Sequence, residues 1–484
     1  MTSTVPAPSA ASTRPPLPST APTPTPDPAG SARAYDLDRA HVFHSWSAQA
    51  ALKPFVAAGA EGSWVWDGEG RPFLDFSSQL VFTNIGFQHP KVVAAIQDQA
   101  AKLCTIAPQH VNDARSEAAR LIVERAPGAS FSHVFFTNGG ADAIENAVRM
   151  ARLHTGRRKV LARYRSYHGN TTTAINLTGD PRRWPNDYGA EGVVHFFGPF
   201  LYRSHFHATT EAEECARALE HLEQTIVLEG ASTIAAIVLE SIPGTAGIMI
   251  PPPGYLRGVR ELCDKYGILW IADEVMSGFG RAGRWFACEL GDEDGAGNRV
   301  DDTRTEPDLV TFAKGVNSGY VPLGGVIVSE KVYETFSNRV FPGGLTYSGH
   351  PLACAAAVAT INVMADEGVV ENADRLGREI FGPALADLQA RHEIVGEVRG
   401  SGAFWALELV RDKATRTPLV PFNAAGEANA PILALGAACK ERGLLPFING
   451  SRTHVVPALN ITDDEARYGL ALLDEALTAV EGTL

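Results

Sequence analysis

No stretch of this sequence stays apolar for the roughly 18 residues that a membrane span needs, and its first residues have neither the basic start nor the apolar centre of a secretory signal. Cysteine is scarce: six occur among 484 residues and none sits in a C-x-x-C pair, which argues against a zinc ribbon and against a disulfide framework. The expectation is a reducing, cytoplasmic setting and no metal centre. Positive charge is in deficit. With 42 Lys+Arg against 55 Asp+Glu, formally −13, the chain lacks the cationic excess that a nucleic acid or an anionic membrane selects. Small-molecule chemistry is the better prior. The apolar share of 45% is ample for a large core, in one large or two ordinary domains.

The opening residues 1–33 are nearly all Pro, Ser, Thr and Ala, a composition that buries too little surface to offset its ordering entropy. They read as a disordered tail. From about residue 130, short apolar runs alternate with longer segments of 3.6-residue period, the pattern of βα units. HVFF (133–136), KVLARY (159–164), TIAAIVLE (233–240), ILWIAD (268–273), LVTFAK (309–314) and GGVIVS (324–329) are the strand candidates. Strands that are apolar on consecutive residues are buried on both faces, as in a helix-covered parallel sheet. The segment WVWDGEGRPFLDF predicts a hairpin with no sheet of its own, to be shared with a mixed unit at the C-terminal end. Residues 290–307 and 410–430 are polar and aperiodic and read as surface excursions.

Polar groups interrupt this pattern where the strands end, which is where α/β sheets place their chemistry. FFTNGGADAIE passes from strand through glycines into a helix, so the backbone N–H groups of Gly140 and Ala141 would face outward, ready for an anion. Taken alone an ordinary βα turn is the better reading, and the turn is neither G-x-G-x-x-G nor a P-loop. YRSYHGNTTTA sets an aromatic, Tyr167, beside an imidazole, His168. ILWIADEV drives two carboxylates, Asp273 and Glu274, to the end of an apolar strand, where each needs a partner. FAKGVNSG ends a strand with Lys314, whose burial would favour the neutral, nucleophilic amine. An anion cradle, an aromatic plate, a strand-end carboxylate and a strand-end lysine together suit pyridoxal phosphate. Its aldehyde condenses with lysine and its ring nitrogen needs a carboxylate to stay protonated.

LESIPGTAGIMIPPPGYLRGVRELCDKYGILWIADEVMSGFGRAGRWFACE, then PDLVTFAKGVNSGYVPLGG and LTYSGHPLACAAA, resemble the class III aminotransferases, the ω-aminotransferase branch of fold-type I pyridoxal-phosphate enzymes. The resemblance runs from about residue 40 to the C-terminus. It implies an α/β fold: a large domain (90–345) with a mostly parallel, helix-flanked sheet, and a smaller α+β domain built from both chain ends (34–89 and 346–484). It also implies a homodimer, or a dimer of dimers, with shared active sites. Lys314 would carry the cofactor as an internal aldimine and shuttle the substrate Cα proton, while Asp273 would pair with the ring nitrogen. Val275 would pack on one ring face and Tyr167 on the other, with His168 and Glu240 close by. Gly140 and Ala141 would hold the phosphate, and Thr346 of the partner subunit would add a hydroxyl.

Three departures from the family stand out. The usual Ser-Gly-Ser-Glu-Ala cradle reads Gly139-Gly140-Ala141-Asp142-Ala143, losing a hydroxyl but keeping the backbone donors. The position of a mobile, carboxylate-binding arginine is Phe447, leaving Arg452 as the nearest substitute and, with equal claim, a solvated loop residue. The acidic segment before Pro307 has no assigned role. Trp46, Leu80 and Phe82 align with the family's substrate-pocket walls, although apolar residues are core more often than pocket. The activity expected is a ping-pong transfer of an amino group from an ω-amino acid or primary amine to a keto acid such as pyruvate. A taurine:pyruvate-type reaction, or a decarboxylase or aminomutase on the same cofactor, is the alternative. A nicotinamide dehydrogenase lacks a glycine fingerprint at the first βα turn, and a catalytically silent scaffold would be expected to have lost Lys314 or Asp273.

Overall fold

The computed structural model describes residues 16–186, 192–293 and 305–483. A seven-stranded sheet runs through its centre: β1 (Phe131–Thr137), β2 (Lys159–Arg163), β3 (Val193–Phe196), β4 (Ile234–Glu240), β5 (Leu269–Asp273), β6 (Leu309–Phe312) and β7 (Gly324–Ser329). Their spatial order is β1-β7-β6-β5-β4-β2-β3. From β6 to β3 every pairing is parallel, whereas β7 is antiparallel to both β6 and β1. All residues of β4, β5, β6 and β7 are buried, as their unbroken apolar runs predict. The helix Gly140–Thr155 covers one face with Ala143, Ile144, Ala147, Val148 and Ala151 and stops at Gly156, whose φ of +70° a side chain would strain. Helix Tyr255–Tyr266 buries Leu256, Val259, Leu262 and Cys263.

The two chain ends meet in one smaller sheet. Strands Trp64–Trp66 and Pro72–Asp75 form the expected antiparallel hairpin, and Pro72–Asp75 also pairs in parallel with Leu444–Leu445. A second small sheet contains Val395–Ser401, Phe404–Asp412, Arg452–Val455 and Phe447–Ile448.

The structure bears on three segments expected to be irregular. Residues 1–15 lie outside the described residues, but the disorder expected to residue 33 does not hold for the rest of the tail. A helix spans Pro28–His41, capped by the Asp27 carboxylate on the Gly30 N–H, and the Thr20 hydroxyl donates to Glu465 at 2.7 Å. A Pro at the first helical turn costs nothing, because the N–H it lacks has no helical partner there. Of the 290–307 segment, 294–304 lies outside the described residues. In the 410–430 segment, the strand Phe404–Asp412 runs into the polar stretch and Thr417–Pro418 folds back on it.

One buried side chain ties these parts together. Arg281, in the loop after β5, donates to the carbonyls of Ala403 and Pro457, to Ser78 Oγ and, at 2.9 Å, to Asn84 Oδ1. Asn84 returns a bond of 2.7 Å from Nδ2 to the Phe279 carbonyl. Removing the guanidinium would strand several buried acceptors, each costing about 1–3 kcal/mol. Arg281→Met is therefore expected to lower unfolding stability by about 3 kcal/mol or more, read as a shift of the urea midpoint; a change below about 0.5 kcal/mol would remove Arg281 from this role.

Candidate active site

Register builds the site. Across three neighbouring strands Glu240 lies opposite Asp273, and Asp273 opposite Thr311, so two carboxylates and a hydroxyl form a row at the carboxyl ends of β4, β5 and β6. Asp273 is 4% exposed and pays for that burial with three hydrogen bonds. His168 Nδ1 lies 2.6 Å from Oδ2, while the Thr311 hydroxyl and the Val275 N–H each donate to Oδ1 at 3.1 Å. An ionised carboxylate offers about four acceptor positions, so one remains for a further donor. Burial alone presses the His168 imidazolium toward neutrality, but the hydrogen bond and charge of Asp273 more than offset it. His168 is held above the ordinary histidine value, and its Nε2 is buried without a partner.

Glu240 is a brace. Its Oε1 accepts from the Tyr167 N–H and its Oε2 from the Gly244 N–H, both at 2.9 Å. Burial raises its carboxyl above the usual range, against the lowering pull of His168. Tyr167, so anchored, carries the Arg182 guanidinium at 3.6 Å from its ring centroid.

Lys314 is not the last residue of a strand. β6 ends at Phe312, and Lys314 opens a short 3₁₀ turn, Lys314–Asn317, with φ at +46°, a region that non-glycine residues occupy at a cost. The turn is held from outside: a Cβ on Gly315 would stand 2.3 Å from Asn84 Nδ2, so the Arg281–Asn84 clamp reaches the residue next to the lysine. Burial pulls the Lys314 ammonium below the ordinary lysine value, against the opposing pull of Asp273 and Glu240.

A cavity of about 470 Å³ joins these groups. Among its walls are Gly139, Gly140, Ala141, Tyr167, His168, Glu240, Asp273, Val275 and Lys314, together with Trp46 and Phe82. Val275 presses on the cradle: a Cβ at Gly140 would come within 2.9 Å of it, so glycine is required there by the close approach of the β5 end. Leu80, Thr346, Phe447 and Arg452 are not among the lining residues. Leu80 is 46% exposed, and Thr346 is also exposed. Phe447 packs into the apolar cluster of Ile242, Ile248 and Phe404 and lies against the His454 ring.

Glu274 is separate from this row. It accepts from Ser241 and Ser277 and from the N–H groups of Ala287 and Cys288, which fixes the loop after β5; Arg281 is not its partner. Ser78, Asn84 and Thr311 are the residues that sequence reasoning passed over. Only Thr311 carried a usable signal, a hydroxyl at the end of an apolar run; the others depend on contacts far apart in the chain.

The family model for "Aminotransferase class-III" matches residues 46–477. This chain belongs to the class III aminotransferases. It is 34% identical to the 5-aminovalerate aminotransferase of Pseudomonas aeruginosa, with 88% of this chain and 93% of that enzyme covered. It is 32% identical to the taurine–pyruvate aminotransferase of Bilophila wadsworthia, over 92% and 97% of the two chains. The solved taurine:2-oxoglutarate aminotransferase of Bifidobacterium kashiwanohense, in complex with pyridoxal phosphate and glutamate, superposes with a TM-score of 0.88 at 40% identity, covering 94% and 99%. The aminotransferase uses pyridoxal phosphate, and the residues on hand fit it. The glycine cradle is open at Gly139, where a Cβ would meet nothing within 4 Å. A buried lysine and a carboxylate with one acceptor position in reserve share the cavity.

The His168–Asp273 pair in this aminotransferase yields a test. In Asp273→Asn the burial effect on His168 persists while its largest support is lost and only the pull of Glu240 and Asp180 remains, so its pKa should fall. Imidazole NMR against pH reads this directly, and an unmoved titration would contradict the assignment of Asp273 as its support. The same variant should retain the cofactor and lose about 10²–10³-fold in kcat, the scale for removing one preorganised electrostatic group.

Proposed function

We propose that this aminotransferase moves the amino group of an ω-amino acid or primary amine to pyruvate in two half-reactions, with Lys314 and Asp273 as its catalytic residues. The observation that carries this reading is the convergence of both on one cavity, with Asp273 held by three donors and Lys314 buried beside it. When bound, pyridoxal phosphate supplies an electron sink and a carbonyl that exchanges amines. The remaining work falls to the protein. The N–H groups of Gly140 and Ala141, at a helix N-terminus, receive the phosphate. The acceptor position left on Asp273 holds the ring nitrogen in its protonated form. Tyr167 and Val275 bracket the ring, and Glu240 keeps Tyr167 in place through its N–H. Lys314 Nζ, whose ammonium burial disfavours, would take the proton from the substrate Cα and return it, across the transferred nitrogen, to the carbon that was the cofactor's aldehyde.

We also infer a homodimer. Trp46 lines the cavity and is 67% exposed, while Phe43 is 85% and Val340 87% exposed; a second copy would cover this surface and bring its Thr346 to the cradle. All six cysteines are free, which supports the cytoplasm as its setting. The taurine-type reaction stays the second reading, favoured by the taurine aminotransferases among the relatives.

Lys314→Ala should lose covalent retention of the cofactor and about 10²–10⁴-fold of transamination, the span of a general acid–base group, with retention read by mass spectrometry after borohydride reduction. Undiminished labelling and turnover would sink the assignment. Because burial lowers the Lys314 pKa, its neutral amine is present below the pH at which an ordinary lysine deprotonates and is lost as pH falls through the lowered value. The rate of cofactor capture by apoprotein should therefore rise with pH, with a midpoint below that of an ordinary lysine. A midpoint at or above the ordinary lysine value would contradict the role of burial.

A further inference from the structure

Between the hairpin strand Pro72–Asp75 and the cavity runs a segment whose backbone follows an unfavourable path. Ser78, Gln79 and Val81 have φ of +42°, +61° and +60°, left-handed values that cost free energy in residues other than glycine and most in a β-branched one such as Val81. Such a path persists only where its surroundings over-determine it. Asp75, 2% exposed, supplies most of that constraint. Its Oδ1 accepts from the Ser77 N–H at 2.8 Å and the Ser77 hydroxyl at 2.5 Å, and its Oδ2 from the Gln79 N–H at 3.2 Å and Gln79 Nε2 at 2.9 Å. Four donors thus meet the roughly four acceptor positions of a carboxylate. Further along, Arg281 donates to Ser78 Oγ at 3.2 Å, and Val81 is buried in the apolar cluster of Ile242, Ile248 and Phe404.

The same segment leads to the turn that carries Lys314 and grips it at three points. The Phe82 ring lies on Gly319, where a Cβ would stand 2.3 Å from Phe82 Cδ2. The Ile85 N–H donates to Ser318 Oγ at 3.1 Å, and Asn84 Nδ2 fills the space that a Cβ on Gly315 would need. Lys314 and Ser318 are themselves at φ of +46° and +54°, so one strained turn is wedged against another. Asp75 also acts on the Arg281 clamp: burial pushes that guanidinium down to about 9, and the charge of Asp75 opposes the shift. The carboxylate that shapes the segment therefore supports the cation that ties it to the loop after β5.

We propose that Asp75 is a positioning residue of the transfer reaction: by fixing the path of residues 77–81 it presses Phe82, Asn84 and Ile85 onto the lysine turn and so holds the Lys314 amine in place. The inference rests on the assignment of Lys314 above. Asp75 is not among the residues lining the cavity, so its effect is transmitted wholly through the segment.

The test follows covalent retention of pyridoxal phosphate by the full-length apoprotein, fixed with borohydride, as the cofactor concentration is raised. In Asp75→Asn an amide NH₂ faces one pair of the donors that the carboxylate satisfied. The limiting rate of retention should fall by about tenfold or more, because misplacing a reacting group by about 1 Å is worth up to about 10²-fold. The half-saturating concentration, which the cradle at Gly140 and Ala141 sets, should stay close to that of the parent. Adding Gln79→Gly, a residue that takes the left-handed path without strain, should return about threefold or more of the limiting rate. An unchanged limiting rate in Asp75→Asn, or a fall that Gln79→Gly does not relieve, would overturn the positioning role while leaving Lys314 in its own. Absence of covalent retention in the parent would instead overturn the assignment of Lys314, and this one with it. If Asp75→Asn does not fold, hydrogen exchange in the parent decides. Coupling between two sites is reciprocal, so retention of the cofactor at Lys314 should slow exchange of the Ser77 and Gln79 amides by about tenfold relative to the apoprotein. Equal exchange in the two forms would overturn the proposal.

Discussion

A carboxylate at the end of a buried strand, and the donors it requires, organise this molecule. Asp273 sits in the middle of the sheet with neighbouring strands on both sides and is almost wholly buried. Each partner it has recruited arrives from a different element: Thr311 from β6 by register, His168 from the turn after β2, and the Val275 N–H from its own loop. Three donors cover most of its acceptor capacity and leave one position open toward the cavity that Lys314 also lines. Glu240, beside it in the sheet, accepts from the backbone N–H groups of Tyr167 and Gly244 and so braces the two loops that carry them. Two buried acids in adjacent positions thus hold different parts of the cavity wall.

The fold was legible in the sequence wherever the signal was local. Strands β4, β5 and β7 are buried along their whole length, and unbroken apolar runs mark such strands clearly. The helix after β1 announced itself by period and the hairpin by its central DGEG. Lys314 and Asp273 could be singled out because a charged residue after an apolar run is conspicuous. What was not legible depends on contacts distant in sequence. The helix at Pro28–His41 sits in a composition that argues for disorder, and its neighbours are held by residues such as Glu465 and Gly68. Glu274 found backbone N–H groups in the loop ahead of it, where an arginine had seemed as good a partner.

The departures from the family's usual residues have a physical reading as well. Phosphate binding at a helix N-terminus draws on N–H groups and on the helix dipole, so the change to Gly139-Gly140-Ala141 removes one hydroxyl donor and keeps the larger part of the attraction. At Phe447 the change is of another kind. The Phe447 ring packs into an apolar cluster and against His454, so this position presents no cation.

The Arg281 clamp has a consequence for how the protein comes apart. Its bonds join the loop after β5 to Ser78 and Asn84 near one end of the chain and to Ala403 and Pro457 near the other, and Asn84 in turn abuts the turn that carries the lysine. Neither chain end can fray on its own without loosening that turn. The usual separation between a rigid interior and expendable termini does not apply here: partial opening at the periphery and loss of the reactive centre are one cooperative event, and the lifetime of the folded ends sets the lifetime of the site.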